Sequence, residues 1–325
     1  MFALANTPIL AQTSLVASAS RPFAPMRGRE FRVHDPSTIV KCDDEYWLFC
    51  TGPGISSFHS KDLEQWDRGP RVFTNAPPWA ARAVPGNRGT YYWAPEILPL
   101  GHRYLLYYAV STFGKNRSAI GLVANSTLNP DDPKFHWTDL GIVVQSTNTD
   151  NFNTIDPAVC RDTSNNLWLT FGSYWGGIKL IQLDPTTGER ISANSPIYSL
   201  AFNDSIEASY LYRHGDFYYL FVNWGLCCRG TNSTYEVRVG RSRKITGPYL
   251  DRGGTDMMIG GGSPFLKTSG DFIGPGQAAI FARDSVDWLS CHFYDGTNHG
   301  RPTLAILPLV WKADGWPEVK LPPGI

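Results

Sequence analysis

Residues 155–171, IDPAVCRDTSNNLWLTF, contain the pattern that best indicates the fold of this chain. A small polar motif at 155–158 is followed by the segment 161–166, RDTSNN, and then by the short aromatic strand 167–171. Because Asp, Asn and Ser are favoured in β-turns, this stretch predicts a β-hairpin. The alternating segment 177–183, GIKLIQL, predicts a further strand of the same unit.

The same succession of polar motif, turn and aromatic strand occurs five times along the 325 residues. The aromatic strands begin 50 to 70 residues apart, and they are 45–50, 103–108, 167–171, 217–221 and 287–291. The polar motifs that precede them are 34–37, 94–96, 155–158, 206–209 and 274–277. Repeated units of about 60 residues with about four strands each are typical of β-propeller blades.

We therefore predict an all-β fold, a five-bladed β-propeller, over residues 31–325. Residues 1–30 are predicted to be an N-terminal leader or extended segment outside the propeller. A pair of β-sandwiches is the alternative fold. It gives no reason for the polar motifs to recur in phase with the aromatic strands.

Polar residues occupy the same position, or nearly the same position, in all five repeats. They are Asp35, Glu96, Asp156, Glu207 and Gln277. The innermost strands of propeller blades line a central channel, so we expect these side chains to meet near its axis. A single Asp-Pro is more often an ordinary turn, but three acids in phase (Asp35, Asp156 and Glu207) indicate a chemical function.

Paired carboxyl groups are the usual machinery of glycosidic-bond cleavage. One protonated carboxyl donates to the leaving oxygen, and in inverting enzymes an ionised partner about 6.5–9.5 Å away activates water. A third carboxylate beside the acid raises the pKa of that acid through like-charge repulsion. The three acids therefore predict a glycoside hydrolase, with the stereochemistry left open by the residues alone.

Longer motifs around these residues resemble glycoside hydrolase family 43 and, within it, the endo-α-1,5-L-arabinanases. The resemblance extends from about Val33 to Trp311 and rests on HDPS (34–37), YWAPEI (92–97), NTIDPAV (153–159), FGSYWGGIKLIQL (171–183), EASY (207–210), CCRG (227–230), STY (233–235), VGRS (239–242) and ITGPY (245–249). It implies a five-bladed propeller, in agreement with the repeat. It also implies cleavage of internal α-1,5-linked L-arabinofuranosyl bonds of arabinan, a pectin side chain, with inversion of configuration.

The resemblance also implies a role for individual residues. Asp35 is expected to be the general base, Glu207 the general acid, and Asp156 the residue that tunes the pKa of Glu207 and orients it. The expected substrate contacts are His34, Trp93, Phe113, Ser173, Cys228 and Tyr235. Trp93 and Phe113 would stack on arabinofuranose rings, although ordinary packing remains open for Phe113 and Tyr235.

His292 resembles the family histidine that holds a cation, often calcium, through water in the channel. Calcium prefers six to eight oxygen ligands, so water would have to complete its shell. A buried histidine bonded to the backbone is the alternative interpretation. Many relatives have a histidine near the position of Gln277, and this departure leaves the role of the fifth blade open.

Other activities remain open beside internal cleavage. An exo-acting α-L-arabinofuranosidase or β-xylosidase of the same family shares the acids but needs a closed cleft, which the segment 76–90 is long enough to attempt. Such enzymes often carry a β-sandwich domain, for which no residues follow Ile325. A non-catalytic glycan-binding propeller would not need a base and an acid. The retaining sucrose-type hydrolases have different motifs around their acids.

Composition restricts the partners and the location. Lys plus Arg equals Asp plus Glu at 29 each, and without a basic run we expect no nucleic-acid partner. No apolar stretch approaches the ~18 residues of a membrane span, so we expect no membrane partner. The resemblance implies a polysaccharide partner, and a monomer is the default expectation. Four glycosylation sequons and six cysteines favour secretion to the extracellular space.

Pairing among the six cysteines is left open by the sequence, because six cysteines allow 15 connectivities. Cys227 and Cys228 are adjacent in the chain. A disulfide between them would close a strained eight-membered ring, so we expect two thiols with separate fates.

Overall fold

The structure is a computed structural model that describes residues 31–87 and 89–321, so the predicted leader lies outside the described residues. The chain forms antiparallel β-sheets arranged as a five-bladed β-propeller, as the repeat predicts. We number the blades I to V in chain order. Among the described residues, no helix has the length and apolar character needed to cross a lipid bilayer.

Blades I and II are formed by the first nine strands, with one short helix between them. Blade I consists of β1 (Val40–Cys42), β2 (Glu45–Cys50), β4 (Ser56–Ser60) and β5 (Asp67–Arg68), while β3 (Gly52–Pro53) pairs with blade II. Helix α1 (Ala80–Ala83) follows. Blade II consists of β6 (Tyr91–Leu100), β7 (Arg103–Val110), β8 (Ser118–Asn125) and β9 (Thr138–Ser146).

Blades III to V repeat the same four-stranded meander. Blade III consists of β10 (Ala158–Arg161), β11 (Leu167–Phe171), β12 (Ile178–Leu183) and β13 (Tyr198–Ala201). Blade IV consists of β14 (Glu207–His214), β15 (Phe217–Trp224), β16 (Glu236–Ser242) and β17 (Ser263–Leu266). Blade V consists of β18 (Phe272–Arg283), β19 (Val286–Asp295), β20 (Arg301–Trp311) and β21 (Pro317–Val319). Short 3₁₀ helices lie at Gly230–Asn232, Met257–Ile259 and Gly296–Asn298.

The second strand of each blade is the aromatic strand predicted from the sequence. These strands, β2, β7, β11, β15 and β19, are nearly all buried, because each lies within a sheet that has another blade on both faces. Aromatic and β-branched side chains suit such positions, since they fill the space between two pleated sheets. The predicted strand at 177–183 is β12, the third strand of blade III.

Five apolar clusters lie between the five pairs of neighbouring blades. The cluster between blades V and I contains Val33, Leu48 and Phe58 from one side and Trp288 and Leu304 from the other. The other four clusters join I to II, II to III, III to IV and IV to V. Burying one such large side chain stabilises the fold by about 1.5–3 kcal/mol. The ring is therefore closed by side-chain packing on every side.

One residue within or shortly before each innermost strand has a left-handed backbone. These residues are Asp35, Ala94, Asp156, Ala208 and Gln277, with φ between 40° and 57°. A non-glycine residue in this region costs about 1–3 kcal/mol, so its recurrence in every blade marks a site that the surrounding packing enforces. Glu207 directly precedes the left-handed residue Ala208, whereas Glu96 lies two positions after the left-handed residue Ala94. The five polar residues therefore do not occupy strictly equivalent backbone positions.

The described part of the segment 76–90 packs against the propeller, and none of its residues lines the central cleft. It contains α1, and Trp79, Ala83 and Val84 are buried in the cluster between blades I and II. Asn87 donates to the Ser111 carbonyl oxygen at 2.9 Å, which fixes the end of the segment to blade II.

Candidate active site

A cleft of about 940 Å³ opens on the face of the propeller where the innermost strands begin. Its walls include residues from all five blades. Asp35, Asp156 and Glu207 line it, as do the six predicted substrate contacts: His34, Trp93, Phe113, Ser173, Cys228 and Tyr235. Gln277 of blade V also lines the cleft, whereas His292 is fully buried behind it.

Asp35 lies among hydrogen-bond donors on the side of blades I and V. The Thr51 hydroxyl donates to Asp35 Oδ2 at 2.6 Å, and His34 Nδ1 lies 2.8 Å from the same oxygen. His34 Nε2 is 2.9 Å from the Tyr294 hydroxyl, which in turn accepts from the Cys228 backbone N–H at 2.6 Å. Burial alone would raise the pKa of Asp35, but attraction to His34 and the hydrogen bonds from His34 and Thr51 lower it to about 2.

Glu207 lies on the side of blades III and IV and has only neutral donors. The Tyr235 hydroxyl donates to Oε1 at 2.6 Å, and the Ser173 hydroxyl donates to Oε2 at 2.8 Å. Asp156 Oδ2 accepts from the backbone N–H of Ala208 at 3.0 Å, which ties Asp156 to the residue that follows Glu207. The two carboxyls are thus held by one local network.

The two carboxyls on this side are both harder to ionise than usual. Burial raises the pKa of Glu207; the hydrogen bonds from Tyr235 and Ser173 oppose this, and the charge of Asp35 adds to it. Burial and the charges of Glu207 and Asp35 raise the pKa of Asp156 well above its usual range. Because these carboxyls interact, they titrate as a pair, and the charge of one disfavours ionisation of the other. The cleft therefore combines one readily ionised carboxyl with a pair whose pKa values are raised.

His292 is held by the backbone of Asp35. The Asp35 N–H donates to His292 Nδ1 at 3.1 Å, and burial lowers the pKa of His292 to about 3, so the ring is neutral. Its proton therefore resides on Nε2, which is buried and has no hydrogen-bond partner in the described structure. The ring also stacks on His34, with centroids 4.2 Å apart. His292 is thus bonded to the backbone, as the alternative interpretation expects, and its Nε2 is a buried polar atom without a hydrogen bond among the described residues.

His34, Asp35 and His292 place ligand atoms within 4.8 Å of one another. Only Asp35 offers an oxygen, and a protonated Nε2 donates a hydrogen bond and does not coordinate an ion. Calcium requires six to eight oxygen ligands. The residues present therefore fit a cation only if it retains most of its water, with Nε2–H donating to one of the waters.

Cys227 and Cys228 are bonded to each other, so the expectation of two separate thiols is wrong. Cys228 has a left-handed backbone, φ 67°, which interrupts the alternation of an extended chain and brings neighbouring side chains to one side. The Arg229 N–H donates to the Ser233 hydroxyl at 3.0 Å and fixes the same loop. The other four cysteines are buried free thiols: Cys42, Cys50, Cys160 and Cys291.

The sequence of this chain is similar to that of a known protein family. A family model for glycosyl hydrolases family 43 matches residues 29–317, which is most of the chain.

The chain belongs to glycosyl hydrolase family 43.

This family 43 protein is similar in sequence to exo-acting and endo-acting relatives and similar in structure to a solved arabinanase. It is 42% identical to an extracellular exo-α-(1→5)-L-arabinofuranosidase of Cellvibrio japonicus, over 90% of this chain and 87% of that protein. It is 38% identical to an extracellular endo-α-(1→5)-L-arabinanase of Bacillus subtilis, over 88% of this chain and 87% of that one. The solved structure of Cellvibrio cellulosa α-L-arabinanase complexed with arabinohexaose matches with a TM-score of 0.85 and 41% identity, covering 89% and 96% of the two chains.

The cleft of this family 43 protein also contains residues that the sequence motifs did not single out. Tyr91, Trp175 and Phe202 line it and are between about one third and one half exposed, while Phe113 is 79% exposed. Thr51 and Tyr294 are the donors closest to Asp35 and His34. Tyr294 lies in the same strand as His292, and Thr51 directly follows an aromatic strand, so proximity to a motif was their only signal in the sequence.

Proposed function

We propose that this protein is an inverting glycoside hydrolase that cleaves internal α-1,5-linked L-arabinofuranosyl bonds of arabinan. The proposal is supported chiefly by carboxyls in one cleft whose pKa values are shifted in opposite directions. Asp35 has a pKa lowered to about 2, while Asp156 and Glu207 have raised pKa values. Pairs of titratable groups with pKa values pushed apart supply the base and the acid of such reactions.

In the proposed reaction, Asp35 is the general base and Glu207 the general acid. Ionised Asp35 accepts a proton from a water molecule as that water attacks the anomeric carbon. Protonated Glu207 donates to the glycosidic oxygen as the bond to the leaving sugar breaks. His34 and Thr51 orient Asp35, while Ser173 and Tyr235 orient Glu207. A single displacement of this kind inverts the anomeric configuration.

Asp156 is proposed to tune and position the acid. Its charge, when present, disfavours ionisation of Glu207, and its bond to the Ala208 N–H holds the backbone beside the acid. Both effects favour a protonated Glu207 that is directed into the cleft. Asp156 is therefore assigned no proton transfer of its own.

The proposed sugar contacts are the rings and polar groups on the cleft walls. Trp93 and Phe113 present apolar surface on the side of blade II, and exposed Phe113 suits stacking on a sugar face. His34, Ser173, Cys228 and Tyr235 supply polar contacts next to the acids. Trp175 of blade III adds a further exposed ring that the sequence motifs did not assign to substrate.

A hydrated cation, of which calcium is the expected example, is proposed beside His292. It would be held by Asp35 and by water hydrogen-bonded to His292 Nε2, and its positive charge would favour the ionised form of Asp35. We expect exhaustive chelation to lower the melting temperature or the activity and calcium to restore it. Calorimetry before and after chelation measures this, and an unchanged transition with unchanged activity would contradict the proposal.

Internal cleavage is the proposed mode because the cleft is open. The described part of segment 76–90, which could have closed one end, packs between blades I and II. The relative from Bacillus subtilis is named an endo-enzyme. Exo action is the second candidate, since the Cellvibrio japonicus relative is named an exo-enzyme. Secretion is also proposed, because both of these relatives are named extracellular and the Cys227–Cys228 disulfide suits an oxidising compartment.

The test is chromatography of the early products from linear debranched arabinan, with an aryl arabinofuranoside and xylan in parallel. A spread of arabino-oligosaccharides with little release from the aryl glycoside is expected. Monomer alone, or rapid release from the aryl glycoside, would contradict internal cleavage and favour the exo mode. No product from any substrate would favour a non-catalytic glycan-binding propeller.

A further inference from the structure

A second carboxyl site lies on the innermost strands but not on the cleft wall. Glu96 of β6 is buried, and its Oε1 is 2.7 Å from the hydroxyl of Thr38. The Thr38 hydroxyl is 3.0 Å from the hydroxyl of Tyr210 on β14, and the Tyr210 hydroxyl is 3.0 Å from the carbonyl oxygen of Ile280 on β18. These contacts form one chain across the channel that connects four of the five blades.

The number of hydrogens available to these three contacts favours a protonated Glu96. Three oxygen–oxygen contacts require three hydrogens, and the Ile280 carbonyl at the end can only accept. Tyr210 has one hydroxyl hydrogen, which goes to Ile280, and Thr38 has one, which goes to Tyr210. The third must then come from Glu96. If Glu96 were ionised, Thr38 would donate to it, and Tyr210 could serve only one of its two neighbours.

We propose that Glu96 is a protonated carboxylic acid and a positioning residue for the turn that carries Asp35. The proposal rests on the function proposed above only for the role of Asp35. The turn begins at Asp35, which has a left-handed backbone, and reaches Thr38 three residues later. Thr38 is held to Glu96 twice, since its backbone N–H also donates to Glu96 Oε2 at 2.9 Å.

The surroundings of Glu96 agree with a retained proton. Burial raises the pKa of Glu96 to about 7, although the hydrogen bond from the Thr38 backbone N–H acts in the opposite direction. Burial also raises the pKa of the Tyr210 hydroxyl that faces it from β14 and of the Cys160 thiol beyond it on β10, so both remain neutral. Asp35, whose pKa is lowered to about 2, lies three residues before Thr38 in the same turn. Ionising Glu96 would remove one hydrogen from the relay and place a second negative charge below the cleft.

The first arm of the test compares the unfolding of wild type and Glu96→Gln as a function of pH. A carboxyl whose folded pKa is raised stabilises the fold fully below its ordinary pKa, and this contribution is lost as pH rises through the folded value. The window for Glu96 is therefore from 4.5 to about 7. The amide of Gln can donate to Thr38 and accept from its N–H at every pH. We expect the melting temperature of wild type to fall relative to Glu96→Gln across this window and the difference to be constant above it.

Parallel melting curves of the two proteins between pH 4.5 and 7 would overturn the proposal. This arm needs no turnover, so its result is independent of the proposed arabinan cleavage. If Glu96→Gln does not fold, the comparison of melting curves is replaced by infrared spectroscopy of a double variant, Asp156→Asn/Glu207→Gln. This double variant lacks the other two carboxyls of the channel whose pKa values are raised. A carboxylic-acid carbonyl band that persists near pH 6 is expected, and its absence would overturn the proposal.

The second arm tests positioning through Thr38. Thr38→Val keeps the shape and the backbone N–H but removes the relay hydroxyl, and Thr38→Ser retains it. We expect Thr38→Val to lower kcat about tenfold with little change in KM, as the loss of one buried hydrogen bond implies. Thr38→Ser should restore kcat. Equal kcat in wild type and Thr38→Val, or an equal loss in both variants, would contradict a positioning role for the relay.

Discussion

The two sides of the cleft floor bury carboxyls to a similar extent and shift their pKa values in opposite directions. On the side of blades I and V, Asp35 has a histidine and a hydroxyl directed at one oxygen, and its pKa falls to about 2. On the side of blades III and IV, Glu207 has two neutral hydroxyl donors and two neighbouring carboxyls, and its pKa rises. The difference shows that the partners of a buried carboxyl, and not burial alone, decide its protonation.

This contrast also explains how one repeat produces two chemical roles. Asp35 and Asp156 have the same left-handed conformation at the same blade position. Asp35 has a histidine beside it, whereas Asp156 has the carboxyl of Glu207 as its neighbour. The propeller supplies the common position, and the residues on the adjoining strands supply the difference.

The largest expected effect comes from removing either proposed catalytic carboxyl. Asp35→Ala and Glu207→Ala should each lower kcat on arabinan by about 10²–10⁴-fold, the usual contribution of acid–base groups. Circular dichroism should show that both variants are folded. Near-normal turnover in either folded variant would remove that residue from the mechanism.

A substrate with a better leaving group then distinguishes the two sides. An aryl glycoside of an α-1,5-arabino-oligosaccharide needs little protonation of its leaving oxygen. Glu207→Ala should therefore recover much of its rate on this substrate, whereas Asp35→Ala should not. The same loss for both variants on both substrates would contradict the assignment of acid and base to opposite sides.

An intermediate effect is expected from Asp156→Asn. The neutral amide removes the repulsion that disfavours ionisation of Glu207, so the pKa of Glu207 should fall. Activity requires protonated Glu207, and the alkaline limb of kcat/KM should therefore move to lower pH, by about one unit. An unchanged alkaline limb would remove the tuning role of Asp156.

The smallest effects should come from the donors, and they should be opposite on the two sides. Thr51→Val removes a donor to Asp35 and should raise the pKa of Asp35, which moves the acidic limb of kcat/KM upward by about one unit. Tyr235→Phe removes a donor to Glu207 and should raise the pKa of Glu207, which moves the alkaline limb upward by a similar amount.

Thr51→Ser is the matched control for the first of these variants, because it retains the hydroxyl. Ser173→Ala should act like Tyr235→Phe, since Ser173 donates to the other oxygen of Glu207. If Thr51→Val moved the alkaline limb, or Tyr235→Phe the acidic one, the two limbs would be assigned to the wrong carboxyls.

Much of the fold was predictable because the aromatic strands repeat. The strands 45–50 and 167–171 were predicted with the bounds that β2 and β11 have. Buried blade interiors need bulky residues at every repeat, and this requirement is visible in the sequence. The short outer strands, such as β5 and β13, were not predicted, because exposed or half-exposed edges place few demands on composition.

The site was predictable only in part. The phase of the repeat brought Asp35, Asp156 and Glu207 into one cleft, but it also grouped Glu96 with them. Glu96 lies two residues beyond the left-handed position and is bonded to Thr38 away from the cleft wall, a difference that a repeat of about 60 residues does not resolve. The Cys227–Cys228 disulfide likewise depends on a local backbone conformation that composition does not show.

The most direct test of the proposed mechanism is the anomeric configuration of the first product. This configuration shows whether Asp35 activates water while Glu207 protonates the leaving group. Proton NMR of α-1,5-arabino-oligosaccharide cleavage, recorded before the product mutarotates, measures this configuration. We predict that the β-anomer of the newly formed reducing end appears first and that the α-anomer follows by mutarotation. Initial formation of the α-anomer would contradict it, because retention requires a carboxylate that attacks the sugar and not one that activates water.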